Sequence, residues 1–141
     1  RFVERAVSGM SDTAEEPRAT WLASVGDRGA VLNPYLSGGL TVFANVDGDA
    51  IAFDGWTIRS ITGFGLSSPV SVTGKDGARV FVYGGAQTTT DCDAWTRSGL
   101  NWEQVCANGN GQITLDETGN IQSITMALGN KLGIVTLRVA K

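Results

Sequence analysis

Acidic side chains are the groups in this sequence that are best placed for acid–base chemistry. Three of their close pairs are candidates: Asp47 with Asp49, Asp91 with Asp93, and Asp116 with Glu117. A glycosidase needs two carboxyl groups about 5–10 Å apart across a sugar. Asp-Gly and Asp-x-Asp stretches also shape turns, which is the better interpretation of all three pairs. The sequence therefore assigns no catalytic residue.

The sequence contains no histidine. That absence excludes Ser-His-Asp and Cys-His mechanisms and every His-ligated zinc or haem site. Asp47-Gly48-Asp49 has the spacing that begins a calcium loop, but no downstream Glu supplies the bidentate ligand. Two cysteines without histidine are too few ligands for zinc. We therefore predict neither a metal nor a cofactor.

Three tryptophans, Trp56, Trp95 and Trp102, are the candidate ligand-binding residues. Exposed tryptophan stacks on sugar rings, because the apolar face of a pyranose fits a flat aromatic face. The alternative is ordinary packing in a core or hairpin, since tryptophan is mostly buried in proteins. Packing is the favoured interpretation for the fourth tryptophan, Trp21, and, less strongly, for Trp95 and Trp102.

Cys92 and Cys106 are the two cysteines of the chain. As a disulfide they would close a loop of about 15 residues and stabilise the fold by roughly 3 kcal/mol. As free thiols they would be small apolar fillers. The segment between them reads as two short extended pieces around a turn, which would bring its ends together and favours the disulfide. A disulfide indicates an oxidising compartment.

Glycine is abundant, with 19 residues in a chain of 141. Gly63-Phe64-Gly65 lacks the third glycine and the following helix of a dinucleotide-binding loop, and Asn108-Gly109-Asn110-Gly111 lacks the lysine of a phosphate loop. Both stretches are better interpreted as turns or bulges, as are Gly38-Gly39 and Gly84-Gly85. The net charge of −3 argues against a nucleic-acid partner.

The elements that must position these residues are predicted to be strands. Thirteen Val, seven Ile and fourteen Thr stand against five Glu and three Lys, a balance that favours strands over helices. Nine strands are predicted, at 18–25, 28–33, 40–46, 50–54, 56–62, 79–84, 112–116, 120–126 and 132–140. Turn dipeptides separate them: Asp47-Gly48, Asp54-Gly55, Asp76-Gly77 and Gly119-Asn120.

Spacings of 8–12 residues between strand starts, with no helix between them, predict an all-β fold: an antiparallel sandwich or open barrel of short hairpin-connected strands. The alternation of apolar residues slips between Ile58 and Ile61, which suggests a bulge. Thr88-Thr89-Thr90 is predicted to be a polar loop. Residues 1–17 are predicted to form a short helix or flexible segment with a linker, and 18–141 a single β domain.

From about Ala19 onward, the layout resembles the bacterial capsule and exopolysaccharide lipoprotein family often called YjbF/GfcB. Three features carry the resemblance: the stretch FDGWTIRSITGFGL at 53–66, the spaced Cys92 and Cys106, and LDETGNIQS at 115–123 followed by LGIVTL at 132–137. The resemblance implies an outer-membrane lipoprotein that faces the periplasm and works with a polysaccharide production or export system. It implies no enzyme and supplies no catalytic residues.

We therefore expect a non-enzymatic envelope accessory protein in exopolysaccharide or capsule production or export, which binds glycan or other envelope proteins. The expected location is the periplasmic face of the outer membrane or the cell exterior. Contact with a membrane is expected only through a lipid anchor on a cysteine lost upstream of Arg1. The alternatives are a carbohydrate-binding module or adhesin, and a small carboxylate-dependent glycan hydrolase.

Overall fold

The protein was analysed as a computed structural model, which describes residues 19–75, 77–128 and 132–140. The helix or linker predicted for residues 1–17 lies outside the described residues. Within them, the regular structure consists of thirteen strands and no helix. The strands are β1 (Trp21–Val25), β2 (Arg28–Ser37), β3 (Leu40–Ala44), β4 (Ala50–Phe53), β5 (Ile58–Thr62), β6 (Val70–Lys75), β7 (Ala78–Tyr83), β8 (Ala86–Asp91), β9 (Thr96–Ser98), β10 (Asn101–Gln104), β11 (Gly111–Leu115), β12 (Ile121–Ala127) and β13 (Ile134–Val139). The prediction of an all-β fold is confirmed.

All thirteen strands belong to one antiparallel sheet, in the order β8-β7-β6-β5-β4-β3-β2-β1-β13-β12-β11-β10-β9. Neighbours in the sheet are consecutive along the chain except at one place, where β1 pairs with β13 through partners such as Ala23 and Leu137. The sheet is therefore a meander whose first and last strands pair in its middle. A single curled sheet corresponds to the open-barrel alternative of the predicted fold.

The curling follows from the connection between β8 and β9. These strands are consecutive in the chain, yet they are the two ends of the sheet. A flat sheet of thirteen strands would separate its ends by about 58 Å, since neighbouring strands lie about 4.8 Å apart. The chain from Asp91 to Thr96 reaches at most about 18 Å. The two ends must therefore lie close together, and the sheet encloses one core.

The core is built from the side chains that point to the inside of this curl. Trp21 of β1 is 1% exposed and packs edge-on against Phe43 of β3, with ring centroids 4.9 Å apart. Ile51, Ile113 and Leu137, from distant strands, are completely buried. One contiguous apolar cluster includes residues from both arms of the sheet, as expected for a closed or nearly closed curl. Packing is therefore the role of Trp21, as predicted.

The slip in alternation along β5 is a bulge, as predicted. Ser60 pairs with Ala52 and Ile58 pairs with Phe53, so that Arg59 is the extra residue. Because of this extra residue, Ile58 and Ile61 are both completely buried although they are three positions apart. The bulge is important for the site described below, because it determines where Arg59 lies.

The predicted turns are also confirmed by backbone geometry. Gly48, Gly55, Gly77 and Gly119 all have positive φ angles, between 88° and 105°. One loop prediction is wrong: Thr88-Thr89-Thr90 belongs to strand β8, paired with β7. β-Branched threonine favours a strand, but β8 is an end strand with few buried side chains. It therefore lacks the apolar alternation by which strands are recognised.

Candidate functional site

A pocket of about 840 Å³ lies where the two ends of the sheet meet. Four parts of the chain line it: the β4–β5 turn with Arg59, the β6–β7 hairpin, the segment 92–95 and Gln104 of β10. These parts come from both ends of the sheet, so the pocket exists only because the sheet curls. Its lining combines aromatic, charged and amide side chains, a composition that is typical of a ligand site.

The three tryptophans predicted from the sequence come together at this pocket. The Trp56 ring lies 5.5 Å from the Trp95 ring and 5.1 Å from the Trp102 ring, measured between centroids. Trp56 and Trp95 line the pocket, and all three side chains are partly exposed. Arg97 lies 5.9 Å from the centroid of Trp102, within the range of a cation–π contact. Residues 46 positions apart in the sequence thus form one aromatic cluster.

The β4–β5 turn presents Trp56 because Asp54 organises the backbone there. One Asp54 carboxylate oxygen accepts hydrogen bonds from the backbone N–H groups of Trp56, at 2.8 Å, and Thr57, at 2.7 Å. Gly55 supplies the positive φ of 105° that this turn requires. The ring is therefore held by a rigid loop between two strands, which lowers the entropy lost when a ligand binds.

The predicted disulfide between Cys92 and Cys106 is present, with the two Cα atoms 4.0 Å apart. The two residues form an isolated antiparallel bridge. Backbone hydrogen bonds flank the bridge, from Asp93 to Val105 at 2.8 Å and from Ala107 to Asp91 at 2.9 Å. The bridge joins the end of β8 to the end of β10, and Cys92 lines the pocket.

Arg79, like Arg59 and Gln104, is a pocket residue that the sequence does not single out. It is 8% exposed and lines the pocket, and its guanidinium donates to the side-chain oxygen of Gln104. Gln104 in turn donates to the backbone oxygen of Asp93 at 2.9 Å. Burial lowers the pKa of Arg79, and the negative charge of Asp54 opposes this effect. The available signal was its position two residues before Phe81, on the inward face of β7.

The acidic pairs do not come together as pairs in a cleft. Asp93 lines the pocket, whereas Asp47, Asp49, Asp91, Asp116 and Glu117 are not among the lining residues. The Phe64 N–H and the Asn45 amide lower the pKa of Asp49. The Thr118 hydroxyl and the Asn120 N–H lower the pKa of Asp116. A general acid needs the opposite shift, and both carboxylates serve as caps of turns.

Among the residues that the structure describes, no cluster of three or more Cys, Asp or Glu side chains is positioned to hold a metal ion. In the same part of the chain, no helix has the length and apolar character that crossing a membrane requires.

The chain matches no protein-family model and no curated protein. Among solved structures, it is similar to the hypothetical lipoprotein YmcC from Escherichia coli (K12), with a TM-score of 0.61 and 11% sequence identity. The alignment covers 96% of this chain and 88% of that chain. At this identity the likeness shows a shared fold over nearly the whole length. The finer resemblance to the YjbF/GfcB family stays a prediction.

Proposed function

We propose that this chain is a non-enzymatic accessory protein of the bacterial envelope, which binds glycan in the pocket between the ends of its sheet during exopolysaccharide or capsule production or export. The observation that carries the proposal is the convergence of Trp56 and Trp95 on one pocket. Paired aromatic faces on a rigid frame suit the apolar faces of sugar rings. The turn-capping roles of Asp49 and Asp116 favour binding over hydrolysis.

The proposed location is the periplasmic face of the outer membrane. A disulfide persists in an oxidising compartment, and this chain contains one between Cys92 and Cys106. The similar structure from Escherichia coli is described as a lipoprotein. Both observations support an envelope location, and the resemblance of residues 53–66 and 115–123 supports the link to polysaccharide export.

The binding proposal is tested by titrating the purified protein with bacterial exopolysaccharide fragments in a calorimeter. Trp95→Ala is expected to weaken binding at least tenfold, which corresponds to about 1.4 kcal/mol. Tyr35→Ala is the matched control, because Tyr35 is an aromatic residue that is 55% exposed and lies outside the pocket. Equal losses in both variants, or no binding by the native chain, would contradict the proposal.

The biological role is tested separately in the source bacterium. Deletion of the gene is expected to change the amount or the linkage of exopolysaccharide, and the Trp95→Ala variant is expected not to restore it. Unchanged exopolysaccharide in a strain whose purified protein still binds glycan would favour the alternative, a carbohydrate-binding module or adhesin. Release of reducing sugar ends from the fragments would instead favour the hydrolase.

A further inference from the structure

In the part of the chain that the structure describes, Arg79 forms no ion pair within 4.0 Å, although the charge of Asp54 acts on it from farther away. Its guanidinium contacts two neutral groups, the Gln104 side-chain oxygen and the Cys106 sulfur at 3.9 Å. Among the described residues that line the pocket, the ion pair within 4.0 Å joins Asp54 to Arg59 and not to Arg79. A guanidinium keeps its proton in proteins, and a buried charge without a partner is costly. The pocket wall therefore contains a positive charge that an anion would stabilise.

Arg59 adds a second guanidinium to the same wall. The bulge in β5 makes Arg59 the unpaired residue of that strand, and it lines the pocket with Arg79. Its Nε lies 3.7 Å from Asp54, in a pair that is about one-third exposed. A contact of this length and exposure is weak. Its Nη1 also donates to the Gly74 carbonyl oxygen, at a long distance of 3.5 Å. Arg59 therefore gives up only two weak contacts when it turns toward an incoming anion.

The acidic side chains of the pocket leave this positive charge largely in place. One Asp54 oxygen is occupied by two backbone N–H groups of its own turn. Asp93 is exposed to solvent, where its charge is screened. The buried charge in the wall is that of Arg79.

From these contacts we propose that the pocket binds a sugar residue that carries an anionic group, a carboxylate or a phosphate. The ring packs against Trp56 and Trp95, and the anionic group is held by Arg79 and Arg59. This inference rests on the proposed glycan-binding function and names the chemical class of the ligand. Arginine suits the task because its planar fork forms two parallel hydrogen bonds to a carboxylate or phosphate.

The test is calorimetric titration of the full chain with four probes. They are a glucuronate-containing tetrasaccharide, the same tetrasaccharide with its carboxyl reduced to a primary alcohol, glucose 1-phosphate, and inorganic phosphate. The charged tetrasaccharide is expected to bind at least tenfold more tightly than its reduced form, with an affinity that falls as salt is added. Glucose 1-phosphate separates a phosphate-bearing sugar from a carboxylate-bearing one, and inorganic phosphate tests the anion without the ring.

The variants are Arg79→Gln and Arg59→Gln, with Arg138→Gln as the control. Arg138 is exposed on β13 and is not among the pocket residues, so the control removes the same charge elsewhere. Each pocket variant is expected to reduce the preference for the charged probe to less than threefold, and the control is expected to retain it. If Arg79→Gln loses its cooperative thermal transition, the test uses Arg59→Gln alone. Arg59 is only partly buried, so its replacement is expected to leave the fold intact.

The outcomes separate this inference from the function on which it rests. Equal affinity for the charged and reduced tetrasaccharides, with binding still lost in Trp95→Ala, overturns the anionic ligand and leaves glycan binding in place. Binding of inorganic phosphate as tightly as the sugar probes also overturns it, because the ring would then contribute nothing. No binding of any probe removes both proposals.

Discussion

Several aspartate side chains in this protein accept hydrogen bonds from backbone N–H groups. Asp49 accepts a hydrogen bond from the Phe64 N–H at 2.7 Å and another from the Asn45 amide at 3.0 Å. Phe64 and its neighbours Gly63 and Gly65 all have positive φ angles, from 54° to 83°. Such a run is costly at a bulky residue, so the carboxylate stabilises a conformation that the sequence does not otherwise favour.

Replacing Asp49 with alanine is expected to lower the free energy of unfolding by about 1–3 kcal/mol at pH 7, the cost of losing hydrogen bonds to a charged group. These bonds hold the folded pKa below its ordinary 3.8, so the unfolded chain takes up the proton first. The stability that the Asp49 carboxylate contributes is complete at a pH above its ordinary pKa. It declines as the pH falls through the pKa of Asp49 in the folded protein. Urea unfolding from pH 7 to pH 2.5 measures the effect.

The control for this prediction is Asp47→Ala in the same turn. Asp47 is exposed, and its backbone N–H, rather than its side chain, donates to the Asn45 side-chain oxygen. The control is expected to stay within about 0.5 kcal/mol of the native chain. A difference between Asp49→Ala and the native chain that does not shrink in acid would show that the carboxylate's charge is not what matters.

At the site, the sequence identified the aromatic residues but not the charge. Trp56, Trp95 and Trp102 could be selected because tryptophan has few roles other than packing and binding. Their convergence could not be predicted, because it depends on which strands meet when the sheet curls. Arg79 was missed since an arginine at the start of a strand ordinarily lies in solvent, and only the placement of Phe81 on the same face indicates otherwise.

Among the elements, strands with a buried face were predictable and strands at the ends of the sheet were not. β11 and β13 bury alternate apolar residues, and their predicted bounds lie within two residues of the observed ones. β9 has three exposed residues and β8 is mostly polar, so neither shows a hydrophobic period. Short or polar end strands also discourage pairing with other chains. The short, polar character that discourages pairing at the sheet ends also makes these strands difficult to predict from the sequence.

Strand β6 is missed for a different reason: its apolar alternation is limited to Val70 and Val72, and a glycine, Gly74, follows them within the strand. Gly74 has a φ of 103° and lies opposite Arg79 in the β6–β7 ladder. A Cβ atom there would lie 2.6 Å from the backbone oxygen of Ala78, too close for any side chain. The glycine thus allows the two backbones to approach beside the pocket.

Gly74→Ala is expected to destabilise the protein by about 2–3 kcal/mol, because the strained φ and the clash with backbone add together. Gly85→Ala is the matched control: its φ is 80°, but nothing lies within 4 Å of the added Cβ atom. The control is expected to cost about 1 kcal/mol. Urea unfolding of both variants gives the comparison, and equal losses would show that the contact with Ala78 is relieved by a small shift of the hairpin.

At the scale of the whole molecule, the fold is a meander whose ends must be held together. Twelve strand pairings follow one another around the curl, but the two ends of the sheet meet through the isolated bridge at Cys92, after β8, and Cys106, after β10. That bridge has two flanking hydrogen bonds instead of a full ladder. The disulfide therefore lies at the weakest part of the curl, and the pocket lies beside it.

Replacing Cys92 and Cys106 together with alanine is expected to lower global stability by about 3 kcal/mol, the value for a closed loop of about 15 residues. Native-state hydrogen exchange reports the local effect. The amides of Asp93 and Ala107, which flank the bridge, are expected to lose more protection than those of β1 and β13, because the sheet ends can then separate without global unfolding.

The β1–β13 amides are the internal control, since they lie in the middle of the sheet and should follow the global loss alone. The same loss at both places would mean that the disulfide stabilises the molecule only through the unfolded chain, and that the hydrogen bonds of the bridge keep the pocket closed without it.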